Sequence, residues 1–470
     1  MNTTSGSQFT VTQRQTFSMI CLGTVLIISL FFASSVVLTT RLSHDEHMYL
    51  SAARLLDRGT IYADFAYLQS PYMPFVYHFA MNIINSEYIL LIGRIVKVVI
   101  VMALLLVFFR LTLYFSSDKW FSLACFLILL ENNIFRHTIG YARNYDLPML
   151  LVLLAGWKFV SLRSYATTKL SYAIAGLLVG LAIGSKLTYV IVPFAFIFPI
   201  LIEYGIGRRS LPPIALFSLG LAIGLMPAIY LCLDAGIDGA FFNNIGFHNL
   251  NAIWYAESDG TISFIDKLRH MKQALWTLPT QFIFLLELLV LALIVTEKHS
   301  IFSILKTRSV LWCATLVVVS IFIFLVPTPV WLAYYSPFVI WSTLLVATLY
   351  SQVSVQARTT VKILAFACVF MLLIFHFPDD FRLSWAAFHP ANWPCVRVHT
   401  EGLALRSAIP VEYLTRPVAT LSPIYALEAD LDIYPELSTG PFTYRIGGLL
   451  STGCYGTDNH RQHHTIYGIC

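Results

Sequence analysis

The stretch Arg41–Met81, RLSHDEHMYLSAARLLDRGTIYADFAYLQSPYMPFVYHFAM, is the first polar segment of an otherwise apolar chain. It lies between apolar runs at about 17–38 and 88–109. It begins with two adjacent carboxylates, Asp45 and Glu46, and then places Tyr49, Ala52, Ala53, Leu55 and Leu56 at helical spacing. That pattern predicts an amphipathic helix lying on a membrane surface. Its acidic residues sit at the N-terminal end, where the helix dipole favours them. Arg58-Gly59 breaks the helix, the element Tyr62-x-Asp64-Phe65 and the pair Gln69-x-Pro71 follow, and a second apolar stretch begins at Tyr72.

The rest of the chain explains why such a loop stands out. Of 470 residues only 12% are charged, 57% are hydrophobic, and the mean hydropathy is +0.72. Ordinary soluble domains carry about twice that share of charge, so the composition excludes an aqueous globular protein, a disordered chain and a disulfide-framework mini-protein. A span takes roughly 20 apolar residues. Runs of suitable length at 17–38, 88–109, 120–135, 147–162, 170–185, 187–203, 211–233, 276–296, 309–326, 330–350 and 363–377 predict an α-helical polytopic membrane protein with about eleven transmembrane helices. The first run is too long for a signal-peptide core and reads as an uncleaved span.

The net charge of +5 matters through its distribution. With the N-terminus inside, the short inner segments hold Arg14, Arg110, Lys119, Lys158, Arg163, Lys169, Arg208, Arg209, Lys298, Lys306, Arg308, Arg358 and Lys362, against Asp118, Glu203 and Glu297. Most of the carboxylates fall on the far side. The positive-inside rule therefore gives an N-in, C-out topology. The long segments, about 41–87, about 234–275 and the tail, are all outer. The chain divides into a transmembrane module over 1–378 and an outer 379–470, whose Pro and Gly punctuation, helix-like 397–408 and strand-like Val418–Leu421 suggest a small α/β domain. Cys395, Cys454 and Cys470 fall in that tail, leaving a disulfide open. The charge pattern gives no nucleic-acid reading.

The order of acidic pair, Tyr, small-residue helix, Gly, Tyr-x-Asp-Phe and Pro after the first span resembles the GT-C superfamily of integral-membrane glycosyltransferases. The likeness is strongest to the bacterial branch of protein O-mannosyltransferases and lipid A aminoarabinose transferases. Gly93-Arg94, Arg143-x-x-Asp146, Gly184-Ser185-Lys186 and Tyr334-Tyr335-x-Pro337 extend it. The phrase IYPELSTGPFTYR in the tail adds to it without a role.

The resemblance implies an inverting transfer of a sugar from a polyprenyl-phosphate-linked donor to a glycolipid, glycan or protein acceptor at the outer face of a bacterial inner membrane. Inversion requires a base for the attacking hydroxyl. Asp45 matches that position, with Glu46 and Asp146 as further acidic candidates. The departing phosphate requires cations, for which Lys186, Arg94 and Arg143 are the candidates. Tyr62, Asp64 and Tyr335 are expected to contact substrate. No metal ligand set is assigned; His44 and His47 beside the acidic pair leave a divalent metal open. Glu287, in the middle of an apolar run, is an intramembrane carboxylate without a family match. A lipid-linked saccharide flippase or other transporter, and a surface-polysaccharide polymerase or ligase, are the rival readings.

Overall fold

A computed structural model describes residues 11–161, 165–259, 262–298 and 300–449. The side chain of Arg14, together with Arg163, Cys454, Cys470 and the tail histidines His460, His463 and His464, lies outside the described residues. Eight described helices are long and apolar enough to cross a membrane, from Gln15–Thr39 to Val355–Ala387. The other three expected runs also fold as helices, Lys119–Leu130, Asp146–Val160 and Tyr165–Ser185. The run expected at 120–135 is cut short. Asn132 ends it and starts Asn133–Ile139 by accepting the Ile134 amide at 3.0 Å, as a short polar side chain does at a helix start.

Ser336–Tyr350 is the central helix. All but one of its residues are buried, against the spans Ile89–Ser116 and Arg308–Leu325 among others. Trp341 on it meets Trp312 edge to face, with centroids 6.4 Å apart. The pair Tyr165–Ser185 and Leu211–Asp234 packs through facing small-residue motifs, Gly176/Gly180 against Gly220/Gly224. A Cβ on Gly180 would lie 3.0 Å from the Gly224 Cα, so these backbones touch directly, as membrane helices do where packing rather than hydrophobic expulsion drives association. The opposite face of Leu211–Asp234 carries exposed Leu219, Ile223, Met226 and Tyr230, which suits contact with lipid.

The three long segments meet at one end of the bundle. The Tyr67 amide donates to Asn243 Oδ1 at 3.1 Å, and His248 Nε2 lies 3.0 Å from the Leu68 carbonyl, which joins the 234–275 segment to the first loop. From the tail, Ser438 Oγ donates to the Ala66 carbonyl at 3.0 Å, and Glu428 accepts the Leu90 amide at 2.7 Å, capping the span Ile89–Ser116. The other end is tied by its own charges: Lys362 Nζ and the Tyr350 hydroxyl donate to Asp118 at 2.8 and 3.0 Å, and Arg308 forks onto Glu203.

Two expectations change. His44–Leu55 is a helix, but it does not lie on a membrane surface: nine of its twelve residues are buried. Ser51, Ala52 and Ala53 are small enough for it to be covered by neighbouring helices, including Tyr72–Ile84 and Pro423–Glu428. Its apolar face reads the same for lipid and for protein. The tail, in turn, holds no strand among the described residues. The strand-like Val418–Leu421 contributes one bridge, Val418 to Ile433, and the rest is short helices. The last long helix runs through Pro378 to Ala387, past the boundary expected at 379.

Candidate active site

Helical geometry sends Asp45 and Glu46 in different directions. Residues four apart share a face, and neighbours diverge by about 100°. Asp45 and Tyr49 look toward the turn 140–146. The Asp45 carboxylate pairs with Arg143 at 2.8 Å and keeps 29% of its side chain exposed. The Tyr49 hydroxyl donates to Asn144 Oδ1 at 2.7 Å.

Asn144 organises the site. Its Oδ1 also accepts from Lys186 Nζ at 3.3 Å, and its Nδ2 donates to the Ser185 carbonyl at 2.9 Å and approaches Gln69 Oε1 at 3.5 Å. Lys186 sits where Tyr165–Ser185 ends, 3% exposed, with its ammonium 3.8 Å from the centre of the Tyr145 ring and 5.5 Å from that of Tyr334. No carboxylate pairs with it among the described residues. Burial above all, opposed by the Asp45 charge and helped by that of Arg143, lowers its pKa to about 7. The Arg143 guanidinium stacks on Tyr141 and Tyr145, 4.3 and 5.4 Å from their centres, and its buried Nε has no acceptor. Two cations with unused donors therefore flank Tyr145, and a partly exposed carboxylate stands beside one of them. An anion with several acceptor oxygens would fill the unused hydrogen bonds.

Asp45, Arg143 and Lys186 are thus brought together, and the other six candidates are not. Glu46 is fully buried and saturated: it accepts Arg94 Nε at 2.6 Å, Arg94 Nη2 at 2.8 Å, the Ala142 amide at 2.8 Å and the Ser43 amide at 2.9 Å. It can be neither base nor acceptor ligand. Arg94 is equally occupied, since beyond Glu46 it donates to the Val37, Thr40 and Gly140 carbonyls, so no donor remains for a phosphate. Gly93 before it is needed because Leu50 packs there, 2.7 Å from where a Cβ would stand. The Gly93-Arg94 motif docks the loop helix.

Asp146 is buried against Lys97, whose ammonium also reaches the Thr138 carbonyl, so the pair neutralises itself inside the bundle. Tyr62 is buried with φ at 70° and donates to the Gln69 carbonyl at 2.5 Å, and Asp64 accepts the Thr60 amide at 2.7 Å; both brace the loop. Tyr335 packs on Phe324 with centroids 4.6 Å apart, its hydroxyl without a partner, while its neighbour Tyr334 faces Tyr145 at 5.8 Å. Asn144 and Tyr145 escaped the sequence reading, and Tyr49 was read only as part of the helix pattern. The signal available for them was the polar, irregular run Tyr141–Asp146 at the mouth of two spans.

His47 is turned to the tail. Burial and the nearby His44 lower its pKa to about 4, and its Nδ1 accepts the Ile424 amide at 3.4 Å, so it does not make a metal pair with His44. Among the described residues no cluster of His, Cys, Asp and Glu could hold a metal ion.

No family model matches the chain, and no curated protein matches it by sequence. Solved structures do. ArnT from Cupriavidus metallidurans in the apo state superposes with a TM-score of 0.53 at 14% identity, covering 93% of this chain and 78% of that one. The same protein bound to undecaprenyl phosphate gives 0.52 at 14% identity, over 92% and 78%. The chain has a GT-C fold. At this identity the likeness is one of architecture, extending over nearly the whole of this multi-pass membrane chain.

Proposed function

We propose that the chain is an inverting glycosyltransferase that moves a hexosyl or pentosyl group from a polyprenyl-phosphate-linked donor to an acceptor at the outer face of a bacterial inner membrane. The observation that carries this reading is the grouping around Tyr145 of a partly exposed carboxylate, Asp45, and a buried ammonium without a carboxylate partner, Lys186. As the acceptor oxygen attacks the anomeric carbon, its proton passes to the Asp45 carboxylate. The bond from that carbon to the phosphate oxygen breaks on the opposite face. The negative charge left on the polyprenyl phosphate falls to Lys186 and the free edge of Arg143, in a site with little water to compete. Asn144 holds Lys186 in place, and Arg143 holds Asp45. That a protein of the same fold was crystallised with undecaprenyl phosphate supports a lipid phosphate as leaving group. Asp146, Glu46 and Arg94 support the site from behind. The acceptor is a glycolipid, such as lipopolysaccharide, a glycan or a protein.

The test uses the full-length protein with a panel of undecaprenyl-phosphate-linked sugars and envelope extract, reading release of undecaprenyl phosphate and mass-labelled product. Asp45→Asn should lower turnover by roughly 10²- to 10⁴-fold with thermal melting unchanged. Full turnover in that variant removes Asp45 as base. Movement of labelled carrier across vesicles without any sugar transfer would establish a transporter instead.

A further inference from the structure

The end of the bundle away from Asp45 has a site of its own. A groove of about 420 Å³ opens there, lined by Leu106, Val107, Leu154, Trp157 and Leu178, with Arg110 and Lys158 completing it. Arg110 follows Arg94 by more than four turns of one helix, about 24 Å along its axis, and Lys158 lies near the end of Asp146–Val160. Both basic side chains are exposed, and among the described residues neither has a carboxylate partner. Two other cations at this end are matched, Arg308 by Glu203 and Lys362 by Asp118.

Within a bilayer an apolar groove between helices is filled by lipid chains. Two unneutralised cations on its lining then select the headgroup, because a phosphate brought between them gains attraction that a zwitterion partly cancels with its own ammonium. Trp157 belongs to the same lining, where an indole with an apolar body and a polar edge suits the headgroup boundary. We propose that this groove is a binding site for an anionic glycerophospholipid of the leaflet opposite the transfer site, with acyl chain against Leu106, Leu154 and Leu178 and phosphate between Arg110 and Lys158.

Native mass spectrometry of the full-length protein in detergent, titrated with phosphatidylglycerol or phosphatidylcholine of identical chains, tests this. Wild type should retain phosphatidylglycerol preferentially. The double variant Arg110→Gln, Lys158→Gln should lose that preference, with apparent affinity for phosphatidylglycerol falling roughly tenfold or more. A control, Arg208→Gln with Arg209→Gln, removes two exposed basic residues outside the groove and should bind as wild type. Equal retention of both lipids by wild type overturns the site, as does an unchanged preference in the groove variant or an equal loss in the control. Tighter retention of undecaprenyl phosphate than of phosphatidylglycerol, lost in the same groove variant, overturns the diacyl assignment. Because the substituted side chains are exposed, all variants should melt with wild type in lipid-free detergent, which separates a binding loss from a folding one.

Discussion

Asp45 and Glu46 are neighbours in the chain with the same functional group, and the fold treats them oppositely. Glu46 faces the span Ile89–Ser116 and is enclosed by Arg94 and two backbone amides. Asp45 faces the Tyr141–Asp146 turn, meets one arm of Arg143, and remains open to solvent. A carboxylate whose lone pairs are all engaged can hold a structure but cannot take a proton from a substrate. In the proposed function the unsaturated one takes the proton, and its saturated neighbour belongs to the rigid platform behind it.

Breaking the platform should cost most. Glu46→Ala leaves the Arg94 guanidinium buried without its partner, a loss of about 3–5 kcal/mol by analogy with other broken buried pairs. The expected outcome is loss of folded protein, measured by melting and by yield after detergent extraction; a well-folded, inactive Glu46→Ala protein would reverse the roles assigned to the two acids. Removing the cation on the other side should spare the fold and weaken the donor. Lys186→Ala should reduce undecaprenyl phosphate binding by roughly 10- to 100-fold, the worth of one charge-assisted hydrogen bond, with acceptor affinity unaltered in steady-state kinetics.

A smaller effect separates charge from shape. With a pKa near 7 before ligand binds, Lys186 loses its proton as pH rises. Undecaprenyl phosphate affinity should therefore decline between pH 7 and 9, above the range where the phosphate itself titrates, and Lys186→Arg should flatten that decline. Because the same lysine is charged in the unfolded chain up to about 10.4, its depressed folded-state pKa opposes folding most at low pH. The sign for stability is thus reversed: this contribution improves as pH rises from 7 toward 10. The smallest effect is expected at Tyr335→Phe, which deletes a hydroxyl with no partner and should change turnover less than twofold, whereas Tyr334→Phe alters the ring pair around Lys186 and should be the more damaging.

The spans and the meeting of the three long segments at one end were legible in the sequence, because hydropathy and charge sorting respond to lipid and water, which act on each residue independently. What was not legible depends on pairing. Nothing in the string Asp45-Glu46 says that Glu46 will be saturated by Arg94 and two amides while Asp45, among the described residues, meets only Arg143. The motif residues Arg94 and Asp146 were candidates through the family resemblance, and the structure pairs them with Glu46 and Lys97 inside the bundle, where an unpaired charge is costly. Of the two adjacent aromatics at that helix start, Tyr335 turns to Phe324 and Tyr334 to Tyr145, a divergence that sequence alone does not resolve. Asn144 was missed because a neutral amide carries no charge signal, although it touches Tyr49, Lys186 and the backbone at once.

The tail contact has a consequence for how the protein is made. Pro423–Glu428 covers the loop helix, Ile424 and Glu428 bond to His47 and Leu90, and a Cβ on Gly440 would sit 3.5 Å from His47 Cβ. These partners are separated by some of the longest sequence distances in the chain. During synthesis from the N-terminus the small-residue face of the helix bearing Asp45 therefore stays uncovered until Pro423–Glu428 has been made and has reached the same end of the bundle. A nascent chain arrested before residue 423 would have its spans but no cover over that face.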